Sequence, residues 1–63
     1  MYELFSSEES FMDELEFLVV CDNFNVVSYQ DNSFLEFTVV MLQHEVTREI
    51  LTIACDYLLD HLS

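Results

Sequence analysis

Residues 44–61, HEVTREILTIACDYLLDH, carry the clearest helical periodicity in the chain, and their reading decides the fold. Val46, Ile50, Ile53, Ala54, Tyr57 and Leu58 recur at helical spacing, which predicts a helix running from His44 through to His61. Leu51, Cys55 and Leu62 widen the apolar arc beyond a core-facing stripe, so part of this helix is expected to meet something outside its own domain. Opposite lies a row of carboxylates, Glu45, Glu49, Asp56 and Asp60. At a helical rise of about 1.5 Å per residue the row extends about 22 Å.

Upstream, residues 24–30 (FNVVSYQ) and 34–42 (FLEFTVVML) are rich in β-branched and aromatic side chains and read as two strands. Asp31, Asn32 and Ser33 supply turn chemistry for a hairpin between them. Alternation assigns Leu35, Phe37, Val39 and Met41 to the core. Phe34, Glu36, Thr38, Val40 and Leu42 fall on a far face apolar enough to receive another copy or a partner.

Residues 6–20, SSEESFMDELEFLVV, open on Ser6 and Glu9, the spacing of a capping box, and predict a helix. Phe11, Met12, Leu15, Leu18 and Val19 share its apolar face, with Glu9, Asp13 and Glu16 on a flank. Phe17 lies outside the stripe, beside those acids. Cys21, Asp22 and Asn23 read as the helix exit. Residues 2–5 form an edge strand or an arm whose Phe5 packs on the first turn as a hydrophobic staple. The expected architecture is therefore α+β, in the order (β)αββα. One compact domain spans residues 1–63, with two amphipathic helices packed on a short antiparallel sheet.

The chain has 63 residues, of which 52% are hydrophobic, including six Phe and three Tyr; this is too apolar for a disordered acidic tail. A chain this short buries only about 60% of the surface its unfolded form exposes. With no metal motif or disulfide framework to staple it, a homodimer is expected to supply the missing stability. Cys21 and Cys55 lack CxxC spacing and sit among apolar neighbours, the pattern of buried reduced thiols. The amino terminus has no basic region and no apolar run approaches the ~20 residues that span a bilayer, so a cytoplasmic location is expected, that of the host cell if the chain is phage-encoded.

Charge is the outlier. Thirteen acidic residues face a single cation, Arg48, for a formal net charge of -12. A small domain needs a magnitude of only about 2–8 for solubility. Direct binding to nucleic-acid phosphates or to an anionic membrane is disfavoured, and a basic partner is favoured. An ordinary solvated helix face mixes signs and pairs Glu with Lys four residues apart, and this chain has no lysine.

Catalysis is not expected. Cys55 and His61, six apart on one helix, would point about 120° away from each other. There is no glycine loop to cradle a phosphate, and HExxH is absent, so neither cofactor nor metal is implied. Carboxylates spaced by about 6 Å along a helix instead present a basic groove with a field like that of a phosphate backbone. In size and charge the chain resembles the small acidic inhibitors that phages make against host DNA-binding and defence proteins. Glu9-Ser10-Phe11-Met12 is similar, at two of four positions, to the Glu-Ser-Ile-Leu segment of phage uracil-DNA glycosylase inhibitors, which enters the enzyme's DNA cleft. The resemblance implies a DNA mimic that occludes a partner's nucleic-acid site; the acidic rows and the ring beside them, Glu9, Asp13, Glu16, Phe17, Glu45, Glu49, Asp56 and Asp60, are the residues expected to make that contact. Exposed aromatics, Phe17, Tyr29 or Tyr57, would fill an apolar recess there. The alternatives are an acidic helix-in-groove module built on Phe11, Leu15 and Leu18, and an antitoxin or immunity protein masking a basic nuclease.

Overall fold

The structure is a computed structural model that describes residues 2–32, 34 and 36–58. Its elements run β1 (Tyr2–Phe5), α1 (Glu8–Val20), β2 (Phe24–Asn32), β3 (Phe37–His44) and β4 (Ile50–Asp56). The strands form one mixed sheet in the order β1-β4-β3-β2. β1 runs parallel to β4, and the β2–β3 and β3–β4 pairs are antiparallel. The class is α+β, with one helix on a four-stranded sheet among the described residues. No helix among the described residues is long and apolar enough to cross a membrane.

The second helix is the main correction. Residues 45–47 form a turn and Ile50–Asp56 pair on both sides, with β1 and with β3. With Ile50, Ala54 and the buried Leu51, Ile53 and Cys55, β4 carries apolar residues on both faces and reads as a nearly continuous apolar run, which periodicity cannot tell from a buried helix. The turn carries none of the usual markers. His44 takes their place: its Nδ1 accepts from the amides of Val46 at 3.1 Å and Thr47 at 3.2 Å, and the Thr47 hydroxyl accepts from Glu49 N at 3.4 Å. Arg48 then takes the left-handed conformation (φ 67°) that glycine or asparagine usually fills. Tyr57 and Leu58 follow β4 in helical conformation; Asp60, His61 and Leu62 lie outside the described residues.

α1 begins one residue later than predicted. Ser7, not Ser6, is the N-cap, and its hydroxyl accepts from Ser10 N at 3.5 Å. Glu8 and Glu9 in the first turn complement the helix dipole. The helix ends where Cys21 N donates to Phe17 O at 2.9 Å, and Asn23 (φ 60°) turns the chain into β2. Phe11 and Leu18 are buried and Leu15 is half-buried, whereas Met12 and Val19 are exposed, so the core stripe is narrower than predicted. Phe5 packs edge-on against Phe11, their ring centroids 6.1 Å apart.

β3 has the opposite phase from the one expected. Thr38, Val40 and Leu42 point under the helix and are buried, while Phe37 and Val39 are half-buried on the back face and Met41 is exposed there. Apolar side chains on both faces made the alternation uninformative, and Thr38 is turned inward because its hydroxyl is satisfied there. With Phe24, Leu51, Ile53 and Cys55 these residues complete the core. The predicted hairpin turn also moves: Asp31 and Asn32 belong to β2, paired with Thr38 and Phe37.

Candidate functional site

The helix side of the molecule carries the acids. Along α1, Glu8, Glu9, Asp13 and Glu16 are exposed and Glu14 is half-buried. Asp13, Glu16 and Phe17 line one shallow depression of ≈ 310 Å³ with Val20 and Cys21. Phe17 is 54% exposed, so the helix presents an aromatic ring among carboxylates as the sequence predicts. Cys21 is exposed rather than buried; Cys55 is buried, and both thiols are free.

The row Glu45, Glu49, Asp56 and Asp60 does not exist as a helical row. Glu45 lies in the turn after β3, Glu49 precedes β4, and Asp56 ends β4, where its Oδ1 accepts from Leu58 N at 3.0 Å. Asp60 lies outside the described residues. The fold brings together a set that periodicity could not foresee. Glu3, Glu14, Asp22 and Glu49, from four different parts of the chain, rim a cleft of ≈ 440 Å³ whose walls include Leu18, Phe24, Ile50 and Leu51. An apolar wall beneath a carboxylate rim matches a long cationic side chain, which buries its methylene stem and keeps its charged head at the edge.

At the other end of the sheet Glu8, Asp31, Glu36 and Tyr57 surround a more open hollow of ≈ 290 Å³. Thr38 Oγ1 donates to Asp31 Oδ1 at 3.2 Å and lies 3.2 Å from the Tyr57 hydroxyl. Because the one Thr38 hydroxyl hydrogen goes to the carboxylate, Tyr57 is the donor in the second bond. A bond to Thr38 would favour a phenolate if Thr38 donated to it; burial, then Cys55, Glu8 and Asp31, oppose the anion and prevail, and the Tyr57 pKa is raised above 10.0. Tyr57 is thus half-buried and tethered, unlike the free insertion residue suggested by the sequence. Tyr29 is exposed on β2, and Phe34, read from sequence as a strand residue, is 91% exposed in the β2–β3 connection.

His44, with its Nδ1 committed to the turn and its ring edge-on to Phe24 at 5.0 Å, is a structural residue. No group of three or more His, Cys, Asp or Glu among the described residues is arranged to hold a metal ion. Cys55 is a core residue on a strand, so the helical geometry that set it apart from His61 does not apply; its burial removes it from solvent instead. Comparison with protein-family models, with curated proteins and with solved structures returns no match.

Proposed function

We propose that this chain is an acidic binding protein whose helix side engages the basic, nucleic-acid-binding surface of a partner protein and keeps nucleic acid away from it. The observation that carries this reading is the charge distribution. Five carboxylates on the 13-residue α1 are ringed by Glu3, Asp22, Asp31, Glu36 and Glu49 from its surroundings. With one cation for thirteen acids, most of these groups have no cationic side chain to pair with inside the chain. The field they sum to attracts a basic groove and repels nucleic acid itself. Phe17, exposed amid Asp13 and Glu16, supplies apolar contact on that surface. Nothing in this reading requires a straight row of charges; carboxylates from α1, the β3–β4 turn and the strand ends provide a two-dimensional patch.

Burial favours this reading over the helix-in-groove alternative. Phe11 and Leu18 occupy the chain's own core, so a partner groove could take them only by unpacking the helix.

The test is capture by the immobilised protein of the heparin-binding fraction of a cell lysate, after nuclease treatment, with elution by rising salt. A captured protein that elutes with salt and loses its DNA or RNA on addition of this chain supports the reading. Partners that resist high salt, or that bind nucleic acid equally well in its presence, overturn it.

A further inference from the structure

Among the described residues the sheet has two faces and the helix covers one. On the back face the register aligns Tyr2 and Leu4 of β1 with Thr52 and Ala54 of β4, and Val39 and Met41 of β3 with Ala54 and Thr52. Phe37 extends the same surface at one end, and at the other Ile50 lies at its edge, where it also borders the acidic cleft. Tyr2, Leu4, Met41 and Ile50 are exposed, and Phe37 and Val39 are half-buried. Beside this apolar area β2 contributes Asn25, Ser28, Gln30 and Asn32, a neutral polar stripe paired with β3. A single uncovered layer of this kind leaves the domain one layer short of burying its sheet.

Charge decides what fits there. Among the strand positions of this face Asp56 is the one carboxylate, it sits at the rim, and it is engaged by Leu58 N. Every other described acid lies on a helix-side position, on α1 or in a connection. A basic partner finds only that one rim carboxylate on the back face. For a second copy, also at net charge -12, it is the surface with the least like-charge opposition.

We infer that the back face is the self-association surface of this protein, joining two copies sheet to sheet with both acidic helices pointing outward. The arrangement is a two-fold, self-complementary contact with an apolar centre on β1, β4 and β3 and an amide-rich margin on β2. Opposed sheets would sit about 10 Å apart. The inference is independent of the basic-partner reading and has the opposite salt response. Screening relieves repulsion between two acidic copies, so salt tightens the dimer, whereas it weakens binding to a basic surface.

Sedimentation equilibrium of the full chain over micromolar to submillimolar concentrations, at low and high salt, tests this. The expected result is a monomer–dimer equilibrium whose dissociation constant falls with salt. Met41→Asp, on the back face, should raise that constant by at least about tenfold; Met12→Asp, the same charge change on an exposed α1 position, should change it less than about threefold. Leu4→Asp provides a second back-face variant should Met41→Asp lose its far-ultraviolet dichroism. A monomer at every concentration, equal effects of the α1 and back-face variants, or a dimer loosened by salt would each overturn the inference. So would new amide protection confined to β2 on dimerisation, which would mean edge-to-edge strand pairing instead.

Discussion

Tyr57 hangs from Thr38 by a 3.2 Å hydrogen bond that joins the end of β4 to the buried start of β3. Thr38 passes its own hydrogen to Asp31 on β2, so three successive parts of the hairpin system are tied at one end of the core. This explains how a threonine can sit beneath the helix in place of an aliphatic residue, and why β3 takes the phase it does.

The same arrangement makes stability depend on alkaline pH. Tyr57 has a raised pKa in the folded chain, so its contribution is fully present below the unfolded value of about 10 and is lost as pH rises through the folded value. Urea unfolding of the wild type should therefore show a falling midpoint above about pH 10. Tyr57→Phe should lower stability by about 0.5–1.5 kcal/mol at neutral pH and remove that part of the alkaline loss. Parallel pH profiles for both proteins would mean that Tyr57 is not the titrating link.

The two cysteines should differ sharply in reactivity. Cys21 is exposed at the end of α1 and Cys55 is buried in β4. Under native conditions an alkylating reagent should modify Cys21 alone, with Cys55 reacting only at the rate of global opening. Mass spectrometry of the intact chain should show one adduct, then two in denaturant. Rapid double labelling of the native chain would contradict the placement of Cys55.

Val46 and Ile53 distinguish the strand from the helix that periodicity suggests. On a helix they are seven apart and share a face. In the structure Val46 is exposed in a turn and Ile53 is buried at the centre of the sheet, paired with Glu3 and Val40. Ile53→Ala should cost about 2–5 kcal/mol, while Val46→Ala should stay within about 0.5 kcal/mol. Chemical denaturation reads both; comparable costs would restore the helix.

That contrast also shows what the sequence made legible. The first helix and the β2 strand could be read because each carries its own local signal, serine beside acids with an apolar stripe at helical spacing for one and a short β-branched run for the other, whereas residues 2–5 are open between an edge strand and an arm. β4 could not, since it carries apolar residues on both faces and so shows no alternation, and the turn before it uses a histidine acceptor and a left-handed arginine where glycine would normally mark the bend. The acidic flank of α1 followed from periodicity, and Asp13, Glu16 and Phe17 do meet. The cleft of Glu3, Glu14, Asp22 and Glu49 is long-range and depends on β1 lying parallel beside β4, which no local pattern encodes.

Relief of backbone strain gives a stabilising change. Arg48 occupies the left-handed region with an exposed side chain, at a cost of about 1–2 kcal/mol relative to a residue suited to it. Arg48→Asn should raise stability by up to about 1 kcal/mol, seen as a higher urea midpoint with an unchanged slope. A lower midpoint would show that the guanidinium's attraction to the surrounding acids outweighs the strain.

The position of charge, rather than its total, should govern binding to a basic partner. Asp13→Lys with Glu16→Lys reverses the pair beside Phe17 on α1. Glu45→Lys with Glu49→Lys makes the same net change in and beside the β3–β4 turn, where the structure dissolves the helical row expected from sequence. If α1 is the centre of the contact, the first pair should weaken binding at least about tenfold more than the second, a difference of about 1.4 kcal/mol. The gap should narrow at high salt as the carboxylates are screened. Equal losses would reduce the acids to a bulk field with no preferred face. A larger loss from Glu45 and Glu49 would move the contact to the cleft that Glu49 shares with Glu3, Glu14 and Asp22, and there the exposed Ile50, rather than Phe17, would be the apolar group a partner meets.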